Sequence, residues 1–133
     1  MYFQQVLSLK HKNRILVTGA NGYIGLHVSK KLIALGYEVV LTDIQSDSLI
    51  KHKNYFQEDS LNPKKIKHVL KQVKYVFFFT GVTGPADESI KNPGKFIEGN
   101  EINLTNLLKE ISVLKEKPRV IFPSTRLVYK GLE

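Results

Sequence analysis

At 133 residues, 42% hydrophobic and 24% charged, the chain has the proportions of one globular domain and too little length for two independent cores. The absence of cysteine excludes disulfide scaffolds, thiol catalysis and cysteine-ligated metal or iron–sulfur centres, and makes the cytoplasm the default compartment. The net charge of +8 admits a polyanionic partner, although 17 of the 20 cations are lysines spread along the chain. Their densest run, Lys64, Lys65, Lys67, Lys71 and Lys74, is interleaved with Ile66, Val69, Leu70 and Val73 at helical spacing. It reads first as the wet face of an amphipathic helix and second as a basic patch for nucleic acid. No apolar run exceeds the five residues 75–79, against the roughly 20 that a membrane-crossing helix needs. Residues 1–13 lack the apolar stretch of a signal peptide and are expected to form an arm ahead of a single domain over 14–133.

In chain order, strands are predicted at residues 14–18 (RILVT), 38–42 (EVVLT), 54–57 (NYFQ), 74–79 (KYVFFF) and 119–122 (RVIF). Three of these are nearly continuous hydrophobic runs, as expected of strands covered on both faces of a parallel sheet. A helix is predicted over 23–35, where Ile24, Val28, Leu32 and Leu35 recur at helical spacing and Gly36 supplies a left-handed cap. A second is predicted over 63–72, with Asn62 as N-cap and Pro63 at the first helical position. A third covers 96–114, with Ile97, Leu104, Leu107, Leu108, Ile111 and Leu114 on one face, and Pro118 prevents its continuation. Residues 80–95, rich in glycine and proline, read as a long loop leaving the fourth strand. The implied alternation of strand and helix, with right-handed crossovers, predicts an α/β fold: an open, doubly wound parallel sheet of strand order 3-2-1-4-5. Ligands of such sheets bind outside the carboxyl ends of the strands.

Directly after the first strand comes Gly19-Ala20-Asn21-Gly22-Tyr23-Ile24-Gly25, a G-x-x-G-x-x-G turn opening into a helix. Glycines there allow a tight turn and let backbone N–H groups approach phosphate oxygens, while the helix N-terminus adds its dipole and unpaired donors. Gly25 would let the helix pack closely on the sheet. The turn can also be structural, but its place between strand and helix is the setting that a dinucleotide pyrophosphate requires. The residues expected to contact such a cofactor are Gly19, Asn21, Gly22, Tyr23, Ile24 and Gly25. Asp43 closes the second strand 18 residues beyond Gly25, where a carboxylate can accept hydrogen bonds from an adenosine ribose or cap the following turn. No arginine lies nearby in sequence to meet a 2′-phosphate, so NAD is favoured over NADP. Asp59, after the third strand, either reaches the adenine edge or caps the helix behind it.

Taken in order, these residues resemble the extended short-chain dehydrogenase/reductase family, the NAD-dependent epimerases and dehydratases that act on nucleotide sugars. The resemblance runs from about residue 14 to residue 129 and implies a Rossmann fold. Thr80-Gly81-Val82 stands where the family has small residues beside the cofactor. Asn100, followed by Asn106-Leu107-Leu108, is similar to its N-x-x-G-T-x-N-L-L helix, with Asn103 in place of the glycine. Pro123-Ser124-Thr125-Arg126-Leu127-Val128-Tyr129 resembles its S-S/T-x-x-V-Y-G segment, with Arg126 and Lys130 as departures. By that match Thr80, Gly81, Asn100 and Ser124 join the cofactor site, and Thr125 is the catalytic hydroxyl beside the reacting substrate oxygen.

The family's chemistry also uses a tyrosine with a lysine four residues later, whose ammonium brings the phenolate within reach at neutral pH. None of Tyr2, Tyr23, Tyr37, Tyr55, Tyr75 or Tyr129 has one. The resemblance therefore implies the cofactor-binding half of such an enzyme, its sugar site lying further on; the alternative is a module that holds a dinucleotide without turning it over. A nucleotide sugar is the implied substrate of the whole enzyme. Self-association is expected through the edge of the fifth strand or through the helix over 96–114. No phosphate-cradling G-x-x-x-x-G-K-[ST] loop or G-x-S-x-G elbow occurs, and the four histidines have no metal-ligand spacing. A methyltransferase would share the acid on strand two but would not need the third glycine.

Overall fold

The apolar runs form strands within a residue or two of their expected limits: β1 (Ile15–Thr18), β2 (Val39–Asp43), β3 (Tyr55–Gln57), β4 (Tyr75–Phe78) and β5 (Arg119–Ile121). The computed structural model describes residues 13–124. All four pairings are parallel and the order is β3-β2-β1-β4-β5, which puts the carboxyl ends of the strands along one rim of the sheet.

Five helices connect the strands: α1 (Tyr23–Ala34), α2 (Ile66–Leu70), α3 (Ala86–Lys91), α4 (Pro93–Phe96) and α5 (Asn103–Ser112). α1 ends as expected at Gly36, whose φ of 79° needs no Cβ. Its N–H donates to the Ile33 carbonyl and that of Tyr37 to the Leu32 carbonyl, so the last turn is closed by a Schellman pair. No helix joins β2 to β3, contrary to a strict alternation; residues 44–54 form bends and irregular chain. Ser46, Asp47 and Ser48 offer the backbone local partners there, and Ser48 Oγ accepts the Ile50 N–H at 3.1 Å. The predicted helix over 63–72 shrinks to α2. Asn62 does not cap it, because the helix starts only at Ile66 with Lys65 in the cap position, and the Asn62 N–H closes a preceding turn onto the Asp59 carbonyl. The stretch expected to be all loop, 80–95, contains α3, started behind Pro85 with Asp87 and Glu88 in its first turn. The helix expected from residue 96 begins earlier, at Pro93, and passes through a π-helical segment (Ile97–Ile102) before α5.

One face of the sheet buries Leu16, Val40, Val76 and Phe78 against Ile66 and Leu70 of α2, Val73, and Leu107 and Ile111 of α5. The other buries Ile15, Val17, Val39 and Leu41, with Leu32 and Ile33 of α1 packed on them. β1 and most of β2 are therefore covered on both sides. β4 is not: its residues alternate between half-buried and buried, because α1 lies over β1 and β2 and leaves Tyr75 and Phe77 partly open. The five lysines of the dense run are exposed around a buried Ile66, Leu70 and Val73, the wet-face arrangement. Among the described residues no helix is long and apolar enough to cross a membrane.

Candidate functional site

Because parallel strands all end on one rim, the loops that leave β1, β2, β3 and β4 converge there. They enclose a cleft of about 730 Å³ lined by Gly19, Asn21 and Gly22 after β1, Asp43 and Gln45 after β2, Glu58 and Asp59 after β3, and Thr80 and Gly81 after β4. Its far wall comes from Lys95, Glu98 and Gly99 before and in the π segment, and Asn103 and Leu107 of α5.

The glycine turn is held tightly from below. Gly19 has φ 65°, and a Cβ on it would lie 2.6 Å from the Phe79 carbonyl group, so two independent reasons demand glycine. Gly25 is buried, and a Cβ there would drive into the backbone of Gly19. Gly22 is less constrained, with an extended backbone (φ −67°, ψ 163°) and 3.2 Å between a hypothetical Cβ and the Gly19 oxygen. α1 starts behind Gly22 with no side-chain cap and no acidic residue in its first turn, which leaves that end of the helix dipole open to an anion. Tyr23 and Ile24 open the helix with exposed side chains and bring only their backbone near the turn.

Asp43 sits at the end of β2, half-buried, where Oδ2 accepts the Asn21 N–H at 2.9 Å and Oδ1 the Gln45 N–H at 3.3 Å. Asp59 Oδ1 accepts the Leu61 N–H at 2.9 Å, an Asx turn that shapes the loop toward α2 rather than capping the helix. The cap comes from its neighbour. Glu58 is buried, and its two carboxylate oxygens accept the N–H groups of Lys64 (2.5 Å), Lys65 (2.7 Å) and Ile66 (3.1 Å).

Asn100 is not itself among the lining residues but clamps the loop after β4 that is: Oδ1 accepts the Val82 N–H at 2.8 Å and Nδ2 donates to the Val82 carbonyl at 3.1 Å. Gly99 beside it admits the Val82 side chain where a Cβ would collide. The π segment, a helical form often found at functional sites, carries both residues. Asn103 turns inward, its Nδ2 donating to the Gly99 carbonyl at 2.9 Å. Ser124 is exposed beyond β5, outside the cleft lining. Thr125 lies outside the described residues.

Sequence reading missed Glu58, Gln45 and Tyr55. Tyr55 donates its hydroxyl proton to the Gln45 carbonyl at 2.5 Å, and burial together with the charges of Asp43 and Asp47 raises its pKa above the ordinary 10.0, against a lowering by the Asn21 hydrogen bond. Only a carboxylate beside Asp59 hinted at Glu58, because its partners lie six to eight residues on, beyond any local capping pattern.

The profile of the NAD dependent epimerase/dehydratase family matches residues 15–132. The chain belongs to that family. Among solved structures, this family member resembles a UDP-glucose 4-epimerase with TM-score 0.75 and 25% identity, over 91% of this chain and 38% of the other. It also resembles TunA, an NAD dependent NDP-hexosamine 5,6-dehydratase involved in tunicamycin biosynthesis, with TM-score 0.67 and 26% identity over 82% of this chain and 36% of that one. A Thermus thermophilus UDP-glucose 4-epimerase in complex with NAD gives 0.62 and 25%, over 73% and 33%. The chain thus spans 33–38% of the length of these three epimerase and dehydratase structures.

Proposed function

We propose that the chain binds NAD and forms the cofactor-binding part of an epimerase or dehydratase acting on a nucleotide sugar. The observation that carries this reading is the uncapped start of α1, behind a turn that only glycine can make at position 19, opening on the same cleft as Asp43. The residues fit the cofactor. Gly19, Gly22 and the first N–H groups of α1 would receive the pyrophosphate, Asp43 a ribose hydroxyl, and the Asp59 loop the adenine. NAD supplies a hydride acceptor when bound; the protein orients it. Of the described lining residues, Asp43, Glu58, Asp59 and Glu98 are acids and Lys95 is a cation, a balance that disfavours an extra 2′-phosphate and supports NAD over NADP. The catalytic role of Thr125 and the contact from Ser124 belong to the same proposal, as does a nucleotide-sugar substrate for the whole enzyme.

Calorimetric titration with NAD tests the site. Gly22→Val is the mildest of the three glycine changes, since the extended backbone admits valine and its Cβ meets only the Gly19 oxygen at 3.2 Å, and it places two methyl groups at the mouth of the helix. Heat from the parent and none from Gly22→Val is the expected result; equal heats refute the assignment.

The second reading is a module that holds the dinucleotide without turnover, and a Tyr-x-x-x-Lys pair is the feature that separates the two. Coding sequence continuing past Glu133 into such a pair would decide for the enzyme, and a stop codon there would decide for the module. Self-association through β5 or the exposed Ile97, Ile102 and Leu108 completes the proposal, and a purely monomeric sedimentation profile at high concentration would refute it.

A further inference from the structure

The glycine pattern fixes positions 19, 22 and 25 and says nothing of what stands at 21. In the structure Asn21 commits its whole amide to a different loop. Nδ2 donates to Gln45 Oε1 at 3.0 Å and to the Asp47 carbonyl at 2.8 Å, while Oδ1 accepts the Leu49 N–H at 2.9 Å. Its backbone N–H is the donor that Asp43 Oδ2 accepts. Both amide protons and the carbonyl are thus engaged across 24 to 28 residues of sequence.

The loop it holds needs holding. Residues 44–47 are exposed, no helix occurs between β2 and β3, and the segment follows Asp43 directly. A second hold comes from Tyr55, whose hydroxyl donates to the Gln45 carbonyl and lies 3.5 Å from Asn21 Nδ2. The raised pKa of that hydroxyl keeps its proton in place for Gln45.

We infer that Asn21 is a positioning residue that couples the pyrophosphate turn to the ribose loop and so sets the preference for a dinucleotide with a free 2′-hydroxyl. The inference rests on the NAD reading of the same cleft. With the clip closed, Asp43 and the loop bearing Asp47 are fixed beside the ribose, so a 2′-hydroxyl finds an oriented acceptor and a 2′-phosphate finds fixed negative charge. With the clip opened, the loop carries Gln45 and Asp47 outward. As the Gln45 N–H that holds Asp43 Oδ1 moves away, the acceptor for the hydroxyl is less firmly oriented, and the phosphate loses the share of the repulsion due to Asp47 while Asp43 stays at the end of β2. The affinities for NAD and NADP then change by different factors, which a merely structural role would not produce.

The test uses the 133-residue chain as parent, Asn21→Ala and Gln45→Ala. Gln45 is exposed and gives up one clip partner, so its variant folds even where Asn21→Ala is compromised. Calorimetry measures the Kd of NAD and NADP, and hydrogen exchange of the nucleotide-free proteins follows the Leu49 amide. Asn21→Ala should weaken NAD about tenfold and NADP less than about twofold, with Gln45→Ala intermediate and Leu49 exchanging faster in Asn21→Ala. Equal factors for the two nucleotides, unchanged NAD affinity, or unchanged Leu49 exchange in Asn21→Ala would each overturn the inference. A parent that binds neither nucleotide overturns the NAD reading itself, whereas the exchange result judges the clip in either case. NADP binding as tightly as NAD to the parent would also overturn it, and would point to Lys64 and Lys65 along an adjoining recess.

Discussion

Replacing Glu58 by Gln leaves the shape of the side chain nearly unchanged and removes its charge and one of its two acceptor oxygens. Three N–H groups depend on those oxygens, at 2.5, 2.7 and 3.1 Å. Lys64 and Lys65 are exposed, so water can replace much of what their amides lose. Ile66 is 6% exposed, and an orphaned amide there costs about 1–3 kcal/mol. Loss of a negative charge at the start of α2 adds about 0.3–1 kcal/mol. With one oxygen retained, the sum is about 2 kcal/mol, a large fraction of a stability of about 5–15 kcal/mol. Urea denaturation followed by far-UV circular dichroism should then show a midpoint lower by about 1 M with an unchanged slope. Hydrogen exchange should locate the loss in amides 64–66. Because Glu58 immediately precedes Asp59, NAD affinity should also fall. A midpoint within about 0.2 M of the parent would refute the remote cap as the anchor of α2.

Gly19→Ala combines a disfavoured positive φ with a collision against the Phe79 carbonyl group and should cost about 2–4 kcal/mol while abolishing NAD binding; parent-like urea and calorimetry curves would contradict the glycine requirement. For Tyr55, a folded pKa raised above the ordinary 10.0 means that its contribution to stability is full below that value and disappears as pH climbs through the raised one. The stability gap between the parent and Tyr55→Phe should therefore be about 1 kcal/mol at about pH 8 and close above about pH 10; a gap that is constant or widens with pH rules this out.

The strands were legible because a parallel sheet buried on both sides writes itself as short runs of β-branched and aromatic residues; handedness led to the doubly wound sheet but not by itself to the order 3-2-1-4-5, which the structure shows. Gly36 was legible for a similar reason, since ending a helix with a left-handed residue is a local event. The same local logic misjudged Asn62. A good capping residue stood before a proline, yet Glu58 reached the helix from β3 and the turn at Asp59 took the Asn62 amide. α3 was hidden because a six-residue helix with no buried side chain has no apolar periodicity to display. At the site, the glycines and Asp43 could be read from spacing. The side-chain links that fix the loops, from Asn21 to 45–49 and from Asn100 to Val82, join residues 18 to 28 positions apart and follow no local pattern.

The central place of β1 in the sheet also bears on how the chain reaches its fold. Its first residue pairs with Val39, 24 positions on, and with Tyr75, 60 positions on, while β4 waits for Arg119 to complete its far side. Every strand pairing therefore closes a loop before any contact rewards it, and none is a hairpin that could form early by itself. On the ribosome, the first strand is made well before its second neighbour and emerges with an apolar edge exposed, the condition under which partly made sheets aggregate. Synthesis rate and chaperone access then act beside the stability of the finished sheet on how much of this protein a cell obtains in native form.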